Sequence, residues 1–280
     1  PAVEPWTETS LYELPPKPEG PSAQLGSGVR LVGARLDRSQ LYAGQQFYTI
    51  VHWSLSDRLT APLDAHLLLG QNSQVRAQVP LGMALAALPP GRPLVEHVGF
   101  RVPAELEPGQ ASVALRSGGE RLLLGTIEIL SGDHSFEPPP IANELDATLL
   151  DVGMLIGFDL NPSEFIRSGH PLTLTLVWQA TGESPDADLT VFTHLIGDSG
   201  AIIAQHDGKP KRETRPTTSW LKDEFITDVH VLRWLKDYRG SATLRIGMYS
   251  AETEARYQWA KGTDYLDLPV DLQVTNKAVD

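Results

Sequence analysis

Leu31-Val32-Gly33-Ala34-Arg35-Leu36-Asp37 returns as Leu155-Ile156-Gly157-Phe158-Asp159-Leu160-Asn161, and this pair decides the fold. Downstream of each copy the same landmarks recur in the same order. Ala43-Gly44 precedes a run ending in Trp53, as Ser168-Gly169 precedes one ending in Trp178. Leu69-Gly70 then matches Ile196-Gly197, and Ala77-Gln78 matches Ala204-Gln205. A repeat of roughly 120 residues is a duplicated domain, because solenoid units are several times shorter. Within the second copy, Leu172-Thr173-Leu174-Thr175-Leu176-Val177-Trp178 alternates with period two. That sends the leucines and Trp178 to one face and the threonines to the other, the pattern of a half-buried antiparallel strand.

Similar short runs follow in both copies. In the first they are Val29 to Leu36, Gln46 to Trp53, Ala65 to Leu69, Gln74 to Val79, Leu94 to Val102, Ala111 to Leu115 and Leu122 to Leu130. In the second they are Gly153 to Leu160, Leu189 to Ile196, Ala201 to His206, Glu224 to Leu232, Ser241 to Tyr249, Arg256 to Trp259 and Leu268 to Val274. About eight short strands per copy predict an all-β chain of two tandem β-sandwich domains, immunoglobulin-like or jelly-roll-like. Residues 1–26, with Pro15-Pro16-Lys17-Pro18, read as an extended lead-in, and residues 27–136 as the first sandwich. Residues 137–145, opened by Glu137-Pro138-Pro139-Pro140, read as a semi-rigid linker, and residues 146–280 as the second sandwich.

The 280 residues, 41% hydrophobic, suffice for two cores. A formal charge of -12 disfavours nucleic acid as a partner, since phosphate contacts need a basic face. Without cysteine the chain has no disulfide, no thiolate metal site and no thiol nucleophile. No apolar run approaches the roughly 20 residues that span a bilayer. A start at Pro-Ala-Val-Glu-Pro-Trp reads as an internal fragment or a processed form.

Residues required by the fold alone should recur in both copies, so the differences carry the functional signal. After Gln78 the first copy continues through the apolar Val79 to Leu88. After Gln205 the second continues through His206, Asp207, Lys209, Lys211, Arg212, Arg215, Thr217 and Trp220. This polar connection is either a solvated crossover or a ligand-binding loop. If their strands are neighbours, His194, His206, Asp207, Asp228 and His230 converge. Their spacing matches no zinc, calcium or nucleophile motif, so no metal, cofactor or catalytic residue is expected. Trp234, Tyr238, Tyr249, Tyr257, Trp259 and Tyr265 crowd the last stretch, where rings either pack the core or stack on sugars. Tyr257 and Trp259 are expected on one strand face, both buried or both presented. The candidate ligand-binding residues are therefore His206, Asp207, Lys209, Arg212, Thr217, Trp220, Asp228 and Trp259.

The second copy also resembles a known family. The carriers are Leu155 to Leu160, Leu172 to Ala180, Val191-Phe192-Thr193-His194-Leu195, Ala204-Gln205-His206-Asp207-Gly208, Pro216-Thr217-Thr218-Ser219-Trp220, Asp228 and Arg245-Ile246-Gly247-Met248-Tyr249. They look like the soluble C-terminal β-sandwich region of bacterial multi-pass membrane glycosyltransferases, which resemble the protein O-mannosyltransferase and aminoarabinose-transferase superfamily. The first copy matches more loosely, and Arg233-Trp234-Leu235-Lys236-Asp237 departs from a proline-rich linker. The resemblance implies a non-catalytic, extracytoplasmic module of the cell envelope, tethered to the membrane by segments absent from this chain. Its expected partners are a glycan or lipid-linked sugar and the membrane-embedded domain of the same parent chain. The competing expectation is a structural or assembly protein packing against neighbouring envelope subunits. A hydrolase built on Asp207 and Asp228 is the third and weakest reading.

Overall fold

The alternating runs form strands because period two gives each one a dry face and a wet face. A computed structural model describes residues 18–275, apart from 27, 83, 84, 87, 88, 92, 164, 165, 183, 184 and 186. Residues 1–17 of the expected lead-in thus lie outside the described residues. The first body contains β1 (Ala23–Gln24), β2 (Val29–Leu36), β3 (Gln40–Tyr42), β4 (Gln46–Leu55), β5 (Ala65–Gln71), β6 (Gln74–Leu81), β7 (Pro93–Arg101), β8 (Gly109–Ser117) and β9 (Glu120–Leu130). The second contains β10 (Asn143–Leu149), β11 (Gly153–Asn161), β12 (Ile166–Arg167), β13 (Leu172–Ala180), β14 (Leu189–Gly197), β15 (Ile202–Gly208), β16 (Phe225–Trp234), β17 (Gly240–Ser250), β18 (Leu266–Asp267) and β19 (Leu272–Thr275).

Strand order is the same in both bodies. Sheet β1-β2-β4-β7 packs on β3-β9-β8-β5-β6, and β10-β11-β13-β16 packs on β15-β14-β17-β19-β12. In each body the leading strand is split between the sheets. β2 is antiparallel to β4 while β3 crosses over and runs parallel to β9; β11 and β12 repeat this against β13 and β19. This is an immunoglobulin-like sandwich rather than a jelly roll. The second body differs at one edge, where β15 pairs with β16 through Ala204↔Trp234 and Gln205↔Arg233 and joins its two sheets.

The repeated Leu-x-Gly has a physical cause. The ladder slips between Leu31 and Gly33 in one body and between Leu155 and Gly157 in the other, a bulge at the same place. At both bulges a neighbouring segment lies against the glycine. A Cβ on Gly33 would stand 2.6 Å from the carbonyl oxygen of Glu19, and one on Gly157 2.6 Å from that of Asn143. Just before each bulge, Leu31 opposes Trp53 and Leu155 opposes Trp178. Both indoles are buried at the centre of separate cores, where truncation of such a side chain costs about 3–5 kcal/mol.

Three boundaries move. β1 lies within the assigned lead-in, pairing Ala23 with Leu31, and β10 starts at Asn143, inside the assigned linker. Residues 256–259 form two isolated bridges, Tyr249↔Arg256 and Leu149↔Trp259, rather than a strand. In consequence Trp259 is buried while Tyr257 is half-buried, contrary to the shared-face expectation. Of the apolar run from Val79 to Leu88, Leu81 and Leu85 tuck into the first core, while residues 83, 84, 87 and 88 lie outside the described residues.

Candidate functional site

β16 turns Ile226, Asp228, His230 and Leu232 to its buried face. Apolar residues anchor both ends of this row, and two titratable groups occupy its middle. Asp228 Oδ2 stands 2.7 Å from His230 Nε2, and Oδ1 accepts the backbone N–H of Lys211 at 2.9 Å. On the other side of the ring, His230 Nδ1 lies 2.9 Å from Nδ1 of His206 on β15. A carboxylate only accepts, so His230 carries its proton on Nε2. Neutral His230 then accepts at Nδ1, His206 donates from Nδ1, and a lone pair remains on His206 Nε2. Burial, followed by the neighbouring His230, lowers the His206 pKa; Arg212 adds to the effect while Asp228 and Asp207 oppose it.

The connection after β15 is strained. Lys211, Arg212 and Glu213 have φ of 48°, 54° and 71°, three successive non-glycine residues in the left-handed region. Each costs about 1–2 kcal/mol there and persists only where surrounding bonds over-determine it. Those bonds are the Lys211 N–H to Asp228, Thr214 Oγ1 to the Lys211 carbonyl at 2.8 Å, and Gln45 Nε2 of the first body to the Glu213 carbonyl at 3.1 Å. Lys209 Nζ is held 2.5 Å from Asp188. A cavity of about 260 Å³ opens here between His206, Lys209, Arg212, Asp228 and His230.

Successive strand residues face opposite ways, so Asp207 leaves this cluster. It lies 3.5 Å from His194 Nε2 and accepts from Tyr249 Oη at 3.3 Å. The hydrogen bond from His194 lowers the Asp207 pKa, and Tyr249 is raised, by burial first and by Asp207 second. The five residues expected to converge therefore form two clusters on two faces. Among the described residues no group of three or more His, Cys, Asp or Glu is arranged to hold a metal ion.

Three of the expected ligand contacts are corrected by burial. Thr217 accepts the Leu189 N–H and donates to the Ala187 carbonyl, tying the connection to β14. Trp220 and Trp259 flank Trp178 at ring-centroid distances of 6.2 and 6.1 Å. All three residues are buried, so neither indole has a face open to a sugar. Of the remaining five, Asp228 is buried in the histidine cluster, while His206, Asp207, Lys209 and Arg212 reach the surface or the cavity beside it.

Sequence reading did not single out the ion pair beneath this loop. Arg215 and Glu224 are both buried and bonded to each other, and His134 touches both, with Nδ1 3.1 Å from Glu224 Oε1 and Nε2 3.2 Å from Arg215 Nη1. Burial lowers the Arg215 pKa and Glu224 counters it. This cluster fastens the segment between the bodies to the second body, with Phe225 N–H donating to the Ser135 carbonyl at 2.8 Å. On the far side of the same loop, Thr218 Oγ1 donates to the Gly44 carbonyl of the first body at 2.8 Å. Gly44 has φ +80°, and a Cβ there would meet Ser219 Cβ at 2.6 Å. The repeated turn glycine is thus also a point of contact between the bodies. Beside it lies a groove of about 430 Å³, with Gln46, Tyr48 and Arg101 on one bank and Asp188, Lys209 and Glu213 on the other.

Fold and site together define a tandem immunoglobulin-like module with a polar groove at its junction. No protein-family model and no curated protein matches the chain. Among solved structures it is similar to the Yersinia pseudotuberculosis adhesin InvE, at 12% identity and TM-score 0.27, over 86% of this chain and 58% of that one. It is similar to dimeric latent PorU from Porphyromonas gingivalis at 12% identity and TM-score 0.26, over 90% of this chain and 20% of that one. The FN1-FN3 domains of chicken CNTN1 align at 10% identity and TM-score 0.21, over 87% of this chain and 65% of that one.

Proposed function

We propose that this chain is a non-catalytic, extracytoplasmic β-sandwich module of the bacterial cell envelope that contacts a glycan or lipid-linked sugar, or positions acceptors for an attached membrane glycosyltransferase. The observation that carries the binding part is the groove at the junction. Ligand sites concentrate at domain interfaces, and sugars are met by polar side chains beside an aromatic ring. Tyr48 is 41% exposed on one bank, next to Gln46 and Arg101, and faces Lys209, Asp188 and Glu213 on the other. The envelope location and the tethering rest on the family resemblance of the second body. Glycan-array screening followed by calorimetry tests the reading. The expected result is a bound glycan whose affinity falls about tenfold in Tyr48→Ala, the scale of one aromatic contact. Absence of binding across the array, or affinity unaltered by Tyr48→Ala, overturns it.

A second reading, assembly against neighbouring envelope subunits, draws on the outer face of β16. Val229 and Val231 are 41% and 45% exposed there, opposite Thr175 and Thr173 of β13. Concentration-dependent self-association abolished by Val229→Lys favours that alternative.

A further inference from the structure

We propose that the His206–His230 pair is a proton-controlled clasp on the strained loop that forms one bank of the groove, so that acidification loosens the loop and weakens what the groove holds. The statement about the groove rests on the glycan reading; the statement about the loop does not.

The geometry defines how many protons the clasp tolerates. Two Nδ1 atoms 2.9 Å apart need one proton between them, and Asp228 fixes which ring accepts. The extra proton that acid supplies enters at the free Nε2 of His206, which makes that ring cationic in a desolvated site beside His230 and Arg212. The surroundings act in both directions. From the loop, Arg212 adds positive charge and Glu213 opposes it, Lys209 being paired with Asp188; from β16, His230 adds to the effect and Asp228 opposes it; from β14 Thr193 contributes a neutral hydroxyl, bonded to the His206 carbonyl at 2.7 Å. Asp207, next along β15, points to the other face, where His194 and Tyr249 engage it, and its charge opposes the effect after that of Asp228.

The loop is built to respond. Its three left-handed residues relax once their tethers fail, and one tether, the Lys211 N–H to Asp228, ends on the carboxylate that holds His230. Two others reach the groove itself, through Glu213 to Gln45 and through Lys209 to Asp188. The lowered pKa of His206 agrees in sign: the closed loop disfavours the protonated ring, so closure is complete above the ordinary histidine range and is lost as pH falls through the lowered value.

Hydrogen exchange of the whole chain, read at the amides of residues 209–214 from about pH 8 to about pH 5, tests the clasp without any ligand. After correction for intrinsic exchange, the opening equilibrium is expected to be flat at the alkaline end and then to rise by up to about tenfold per pH unit. His206→Gln keeps an N–H donor toward His230 and takes up no proton, so its profile is expected to be flat. Arg212→Asn tolerates the left-handed backbone and removes one positive charge, and is expected to reduce the rise. Superimposable profiles for the wild type and His206→Gln overturn the proposal, as does a flat wild-type profile. A pH-dependent loop in a protein that binds no glycan leaves the clasp standing and sinks the groove reading; a flat loop in a protein that binds glycan does the reverse.

Discussion

The two bodies place a carboxylate at the same register and use it for different ends. On β7 Glu96 opposes Val51, two positions beyond the Trp53↔Leu94 pair; on β16 Asp228 opposes Leu176, two positions beyond Trp178↔Ile226. Each clamps a backbone N–H of the connection that leads into its own strand, Gly82 in the first body and Lys211 in the second. Their second partners differ. Glu96 takes the indole N–H of Trp53 at 2.8 Å, whereas Asp228 takes His230 and through it His206. Trp178, without that carboxylate, packs between Trp220 and Trp259 instead. A clamp that the fold needs in both copies stays structural in one and is wired to titratable side chains in the other. Duplication leaves such an exchange open because connections and edges are less constrained than paired strands.

The largest effect that separates the bodies is expected at Glu224, whose buried partner has no counterpart described in the first body. Glu224→Ala leaves the Arg215 charge buried and unpaired, and is expected to cost about 3–5 kcal/mol. Calorimetry should show the loss in the second body's transition alone; an equal shift of both transitions means the two bodies unfold as one.

A more direct attack on the comparison is to remove each clamp. Glu96→Ala and Asp228→Ala are each expected to destabilise their own body by about 1–3 kcal/mol, since both leave polar groups unsatisfied. If denaturant titration finds one of them silent, the carboxylates are not equivalent. The smallest expected effect is at the junction, where Thr218→Val deletes a hydroxyl bonded to Gly44 and should cost about 1 kcal/mol. Its more telling readout is small-angle scattering, in which a broadened distance distribution shows that this bond fixes the relation between the bodies; an unaltered curve leaves that task to the Gln45–Glu213 bond and to the cluster that holds the connecting segment, Arg215, Glu224 and His134.

Most strands were legible because their signal is local. Leu172 to Trp178 alternates whatever surrounds it, and β2 and β11 announce themselves through the Leu-x-Gly repeat. Among the strands that escaped, β1, β3, β12 and β18 have two or three residues, too few to show a period, and exist because a neighbouring strand offers them pairing; β10, of seven residues, was hidden by the proline run before it, which put its start in the linker. The candidate site was legible as a place and not as an arrangement. Its loop was marked by its departure from the first copy, and the period of two along Phe225–Trp234 puts Asp228 and His230 on one face. That His206 meets His230 while Asp207 turns away to Tyr249 depends on which strands are neighbours.

The sequence by itself determined that there are two all-strand bodies, where their tryptophan anchors sit, and which connection differs between them. Those properties follow from side-chain periodicity and from repetition, which are written along one dimension. Only the tertiary structure decided that Trp220 and Trp259 are core rather than contact surface, that Arg215 and Glu224 are buried together, and that Gly44 touches Thr218 across the junction. Burial and pairing between residues far apart in the chain are set by how sheets stack and bodies dock, and no local pattern encodes them.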